Sequence, residues 1–120
     1  MNNYQNKLKQ KMDEYAHFVY ECTKSFPKQE MYGSTSQWRR STLSILLNYL
    51  EGYARKKPMV RLNLLEISYG SLMESDCLLH FCHKEKFLSK EDYNEGLKLS
   101  KEIGAMLWTE ISNLEKSVSR

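Results

Sequence analysis

Apolar side chains along this chain recur at steps of three and four residues, the spacing that places them on one face of an α-helix. The pattern is interrupted at Phe26-Pro27, before Pro58 and at Leu88-Ser89. Proline cannot continue a hydrogen-bonded helix, and it biases the residue before it away from the helical conformation. We therefore predict four helices, at about residues 4–25, 35–55, 58–85 and 90–117.

Short turns between helices of this length favour antiparallel neighbours, so the predicted fold class is all-α: a single-domain, up-down-up-down four-helix bundle. Ser34 to Gln37 and Ser89 to Asp92 match the capping-box pattern that begins a helix. The expected core positions are Leu8, Met12, Tyr15, Val19, Cys22 and Phe26 in the first helix, Met59, Leu62, Leu65, Tyr69, Leu72 and Leu79 in the third, and Tyr93, Leu97, Ser100, Gly104, Leu107, Ile111, Leu114 and Val118 in the last.

The second predicted helix is apolar around most of its circumference, which favours neighbours on several sides and hence self-association. One polar seam interrupts the apolar surface at steps of three and four residues. This seam is either a strip in contact with water or a buried or pore-lining polar ladder between helices. Its members are Gln37, Ser41, Ser44, Asn48, Glu51 and Arg55.

Composition narrows the class of protein further. The 120 residues carry 18 Lys and Arg against 15 Asp and Glu, and a net charge of +3 is too small to identify a nucleic-acid-binding protein by itself. No stretch approaches the roughly 20 apolar residues of a membrane span, and residues 1–7 do not resemble a secretion signal. With an odd number of cysteines, three, we expect reduced thiols and a cytoplasmic protein.

Two groups of residues contain side chains that bind metals in other proteins. Four potential ligands fall within residues 77–83, but on a helix Cys82 points away from the others, so one tetrahedral site cannot use all four. Glu14 and His17 form a Glu-x-x-His pair of the kind found in di-iron bundles, which need this motif on two helices, whereas it occurs once here. The sequence also lacks a glycine-rich phosphate loop and a Gly-x-Ser-x-Gly elbow. We predict no metal, no cofactor and no enzymatic activity.

The basic residues are the better candidates for binding. Two groups lie at opposite ends of the second helix, about 24 Å apart at 1.5 Å per residue. In a ring of copies each group would form a basic belt able to engage phosphates; the alternative is that these charges only keep the protein soluble. The candidate nucleic-acid-binding residues are Arg39, Arg40, Arg55, Lys56, Lys57 and Arg61.

Two segments carry a resemblance to a known family. Residues 26–40, with the sequence FPKQEMYGSTSQWRR, and residues 67–74, with ISYGSLME, are similar to the signature of the four-helix bundle proteins encoded in 23S rRNA intervening sequences. Ser44-Ile45, Asn48, Glu51-Gly52 and Arg55 continue the likeness. The chain departs from the family at Leu46, where proline is usual, which predicts a straighter second helix.

The resemblance implies a ring-like homopentamer, similar to the accessory protein of diversity-generating retroelements, which partners a reverse transcriptase and nucleic acid. The expected function is therefore a non-enzymatic homo-oligomer that binds RNA or DNA through a basic rim, with Asn48 and Glu51 ordering the interface between helices. The alternative is a protein-interaction scaffold or accessory subunit, for example of a reverse transcriptase, without direct nucleic-acid binding.

Overall fold

The computed structural model describes residues 1–118, and these residues form four long helices and one short 3₁₀ turn. The predicted all-α, antiparallel four-helix bundle is confirmed, with every helix end within two residues of its expected position. The helices are α1 (Asn3–Thr23), α2 (Ser34–Ala54), α3 (Pro58–Lys84) and α4 (Lys90–Val118), and the 3₁₀ turn is Lys28–Glu30.

The helices pack in chain order around a closed bundle of 49 × 24 × 20 Å. α1 and α3 each contact both α2 and α4, as short turns between antiparallel neighbours require. One end of the bundle therefore holds the start of α1, the α2–α3 turn and the end of α4. The other end holds the α1–α2 connection and the α3–α4 turn.

Local side-chain bonds explain where several helices begin. Asn2 and Gln5 form a reciprocal capping box at α1, with the Gln5 N–H donating to Asn2 Oδ1 at 2.8 Å. At α4 the Asp92 N–H donates to Ser89 Oγ at 3.1 Å, which is one of the two bonds of the predicted capping box. The capping box predicted at Ser34 was wrong. α2 begins one residue earlier, after Gly33, and the Ser34 hydroxyl donates instead to the Glu30 carboxylate at 2.7 Å.

The core of α1 follows the predicted stripe, with Leu8, Met12, Tyr15 and Val19 almost fully buried. In α4 the buried face is rotated about the helix axis relative to the predicted stripe of core residues. Leu99 and Ile103, which the prediction omitted, are buried, whereas several of the predicted residues are only half-buried. Met59 in α3 is 64% exposed, because it lies in the first turn of the helix, beyond the core at the end of the bundle.

Polar atoms inside the core are hydrogen-bonded across helices. The Trp38 indole N–H donates to Ser75 Oγ at 3.1 Å, and the Ser75 hydroxyl donates to the Tyr15 oxygen at 3.1 Å. Ser68 Oγ donates to the Ile45 carbonyl at 2.7 Å. Small hydroxyl residues on α3 thus let α2 approach closely and satisfy buried polar atoms at the contact.

Candidate nucleic-acid interface

The turn between α2 and α3 presents a run of exposed positive charge. Arg55 follows the last residue of α2 in an extended conformation, and Pro58 begins α3 two residues after Lys56. We call Arg55, Lys56 and Lys57 the basic turn; all three side chains are exposed. Arg55 pairs with Glu51 at 2.7 Å, whereas within residues 1–118 the side chains of Lys56 and Lys57 have neither a hydrogen bond nor an ion pair. Their charges are available to a partner.

Arg61 lies beside this turn but has a structural task. Its Nε–H donates to the Gly52 carbonyl at 3.2 Å and its Nη2–H to the Arg55 carbonyl at 2.8 Å. Its guanidinium also lies 4.9 Å from the centre of the Tyr53 ring. Because the last carbonyls of a helix lack partners within the helix, Arg61 caps the end of α2 and fixes the shape of the basic turn.

The second basic group lies at the other end of the bundle. Arg39 donates from Nε to Thr23 Oγ1 at 2.7 Å and lies over the Tyr20 ring at 4.8 Å, so it ties α2 to the end of α1. Arg40 is exposed and lines a cavity of about 310 Å³ with Glu74. The six predicted contacts therefore divide into four exposed cations and two, Arg39 and Arg61, that hold helices together.

The polar seam has a contact in its middle and exposed ends. Ser44 Oγ shares a hydrogen bond of 2.8 Å with Ser71 Oγ of α3, and Asn48 Nδ2 donates to the Ser44 carbonyl and hydroxyl at 2.9 Å each. Ser41 is buried and donates to the Trp38 carbonyl at 3.1 Å. Gln37 and Glu51 are exposed. The seam is thus partly a polar contact between α2 and α3 and partly open surface.

Large apolar side chains flank the seam without being covered. Leu47 on α2 is 53% exposed, and Ile67 on α3 is 45% exposed. Val60 and Phe81 lie seven residues before and fourteen after Ile67, on the same face of α3, and are also exposed. We call Leu47, Val60, Ile67 and Phe81 the outer α2–α3 face. Exposed large apolar side chains of this kind occur where proteins associate.

One further feature of the structure, a buried carboxylate, was not predicted from the sequence. Near the end of α4, Glu110 is only 9% exposed, and its carboxylate accepts hydrogen bonds from the hydroxyls of Tyr49 and Tyr53. Burial, followed by the hydrogen bonds to Glu110 and its negative charge, raises the pKa of both tyrosines well above the ordinary value. The available signal was a carboxylate on the buried stripe of α4, one turn after Leu107.

The residues considered as metal ligands do not converge. Among residues 1–118, no group of three or more His, Cys, Asp or Glu side chains is placed to hold a metal ion. His17 approaches Asp13 at 3.4 Å, and His80 bonds to the Tyr93 hydroxyl at 2.6 Å. The described helices also include none long and apolar enough to cross a membrane.

These features define an antiparallel four-helix bundle with an exposed basic turn and an uncovered apolar face. The chain belongs to the family of 23S rRNA-intervening sequence proteins, whose model matches residues 4–109. Its fold is similar to the crystal structure of a protein of unknown function from the S23 ribosomal protein family of Bacteroides thetaiotaomicron, with a TM-score of 0.78 and 23% identity over 87% of this chain and 97% of that one. No curated protein sequence matches the chain.

Proposed function

We propose that this chain is a non-enzymatic cytoplasmic protein that assembles into a homo-oligomer, a ring-like pentamer, and binds RNA or DNA through a basic rim. The observation that carries the proposal is the basic turn, where Lys56 and Lys57 are exposed and, in the described part of the chain, unpaired. Cations of this kind bind phosphates through their charge and contribute little specificity for the nucleotide sequence.

The charge distribution gives different roles to the basic residues. Arg55, Lys56 and Lys57 contact phosphates directly, while Arg61 positions them by capping α2. Arg40 extends the charge at the opposite end of the bundle. Assembly then matters, because three cations on one copy give weak binding, whereas a ring repeats the basic turn around one rim and engages several phosphates together.

The outer α2–α3 face supports the assembly. Leu47 and Ile67 face solvent on either side of the Ser44–Ser71 hydrogen bond, so a second copy packed here would bury apolar side chains around a polar contact. The apolar side chains supply the association energy, since about 25 cal/mol is gained for each Å² removed from water. The polar atoms of Asn48 and Glu51 fix the register of the contact.

Oligonucleotide binding at low salt tests the proposal. Fluorescence anisotropy of labelled single- and double-stranded oligonucleotides is compared for the wild type, Lys56→Ala/Lys57→Ala and a control, Lys98→Ala/Lys101→Ala, that removes the same charge from exposed positions of α4. We expect the first variant to bind more weakly, with a salt dependence about 1.4 units shallower for single strands, and the control to bind like the wild type. Absence of binding by the wild type at low salt, or equal loss in both variants, contradicts the proposal.

A protein-interaction scaffold is the second candidate, with a reverse transcriptase as an example of the partner. The observation that favours it is Trp108, which is 57% exposed on α4 although its ring contacts Tyr69 at 5.3 Å between centres. Exposed tryptophans of this kind are enriched among residues that anchor protein interfaces. A partner that remains bound after nuclease treatment, and is lost in Trp108→Ala, favours this function over nucleic-acid binding.

A further inference from the structure

The buried carboxylate of Glu110 borders a cavity beside the basic turn. The cavity has a volume of about 420 Å³, within the range of about 300–1,000 Å³ usual for small-molecule sites. It is lined by the start of α1, the end of α2, the first turns of α3 and the end of α4, so all four helices contribute. Arg61, which caps α2 and supports the basic turn, is one of the lining residues.

The acceptor atoms of this cavity are fixed in place. Burying a carboxylate costs free energy unless it is hydrogen-bonded, and Glu110 accepts one bond on each oxygen, from Tyr49 and from Tyr53. A carboxylate oxygen has two lone pairs, so each oxygen can accept one more hydrogen bond. Glu110 therefore offers two adjacent acceptors to a ligand with two adjacent N–H donors.

The other walls supply donors and a positive charge. The capping box of α1 uses the side-chain oxygens of Asn2 and Gln5, and the Gln5 side chain also hydrogen-bonds to the Tyr53 hydroxyl. The NH₂ group of Asn2 is left as a donor at the cavity. Arg61 uses two of its five N–H groups in capping α2 and keeps three. Donors and acceptors thus converge on one cavity at the end of the bundle that carries the basic turn.

We propose that this cavity binds an unpaired guanine base of a single-stranded nucleic acid whose phosphates lie on the basic turn. Guanine presents an N1–H beside an exocyclic amino group, the pair of donors that the Glu110 carboxylate can accept. Adenine and cytosine place their amino group beside an acceptor nitrogen, and uracil has one N–H between two carbonyls. The inference rests on the proposed nucleic-acid binding and adds to it a preference for one base.

An arginine side chain of a peptide presents the same pair of adjacent donors. The surrounding charge disfavours it, because Arg55, Lys56, Lys57 and Arg61 lie at this end of the bundle and repel a cationic peptide while attracting phosphate. The nucleic acid is therefore the ligand that fits both the cavity and its rim.

Anisotropy with three short oligonucleotides of equal length tests the inference: oligouridine, the same strand with one central guanosine, and the same strand with inosine in its place. Inosine lacks the exocyclic amino group, so this comparison changes the ligand and leaves the protein intact. We expect the guanosine strand to bind about tenfold more tightly than the other two. We also expect Glu110→Gln to abolish this preference, and Glu66→Gln, an exposed carboxylate of α3, to retain it.

Each outcome separates the two proposals. Equal binding of the three strands by the wild type overturns the guanine site and leaves the proposed function standing. No binding of any strand at low salt overturns both. A guanosine preference that persists with inosine or in a folded Glu110→Gln variant overturns the assignment to Glu110. If an arginine peptide displaces the guanosine strand and a matched lysine peptide does not, the pair of adjacent N–H donors that arginine and guanine share is supported as the recognised feature. If the arginine peptide binds more tightly than the guanosine strand, the cavity is assigned to peptides.

Discussion

At Gly96, α4 lies directly against the fully buried Leu79 side chain of α3. A Cβ atom added to Gly96 would lie 2.7 Å from Leu79 Cδ1 and 3.3 Å from Phe18 Cε2, and carbon atoms do not approach as closely as 2.7 Å without a clash. Leu79 is 0% exposed, so it has no open space into which to move. We therefore expect the Gly96→Ala substitution to destabilise the bundle.

The magnitude follows from two opposing effects. Alanine in a helix interior is about 1 kcal/mol more favourable than glycine, whereas a methyl group forced into a packed core costs about 1–3 kcal/mol. The net cost of Gly96→Ala is then about 1 kcal/mol. Gly70 in α3 is the matched control, because an added Cβ there meets nothing within 4 Å. Gly70→Ala keeps only the helix-propensity gain and should stabilise the protein by about 1 kcal/mol.

Urea unfolding followed by far-ultraviolet circular dichroism measures both variants. The protein concentration must be held constant, because association changes apparent stability. We expect the two variants to differ by about 2 kcal/mol in free energy of unfolding, with the same dependence on urea as the wild type. If Gly96→Ala were as stable as Gly70→Ala, the packing of α4 on Leu79 would be wrong.

Three further substitutions or conditions give definite expectations. Ser75→Ala removes the hydroxyl that accepts from the buried Trp38 indole N–H and donates to the Tyr15 oxygen, and it should lower the free energy of unfolding by about 1–3 kcal/mol, measured in urea. Leu47→Glu places a charge on the outer α2–α3 face and should shift the proposed oligomer to a lower mass in light scattering without unfolding the helices. Burial raises the pKa of Cys22 to about 12 and that of Cys82 to about 11. The unfolded chain then releases these protons first, so stability should fall as the pH rises above about 9, measured as the urea midpoint at each pH.

Three results would contradict these expectations. An unchanged stability of Ser75→Ala would mean that the hydrogen bonds of the Ser75 hydroxyl contribute no net stability to the core. An oligomer of unchanged mass in Leu47→Glu would move the interface away from the outer α2–α3 face. A urea midpoint that stays constant between pH about 8 and about 10 would mean that the thiols do not keep their protons in the folded state.

The helices could be predicted from the sequence because their signals are local. Periodic apolar residues, Pro27 and Pro58 identify the four segments and their ends within two residues. Which face of α4 is buried was harder to predict than where the helix lies. Leu97 and Leu99 are both apolar, and only the packing of α4 against α3 and α1 selects Leu99 for burial. The sequence does not show whether Ser34 precedes α2 as its cap or is its first residue. In the fold the Ser34 hydroxyl bonds to Glu30 and does not cap the helix.

The candidate site was less accessible to sequence reasoning. Arg39 and Lys57 are equivalent as positive charges in a sequence, yet Arg39 is held by Thr23 and the Tyr20 ring, and only the fold brings these groups together. The same holds for Glu110, whose partners Tyr49 and Tyr53 lie 61 and 57 residues away in the chain. Contacts between distant residues decide which charges are free to bind.

Sedimentation velocity of the purified protein mixed with a fluorescently labelled single-stranded RNA at low salt tests the central proposal most directly, because one run reports both the mass of the assembly and whether RNA travels with it. We predict that the label sediments with a species of five 14.2 kDa chains and is released as salt is raised. RNA that sediments alone beside the protein, or with a single chain, would contradict it.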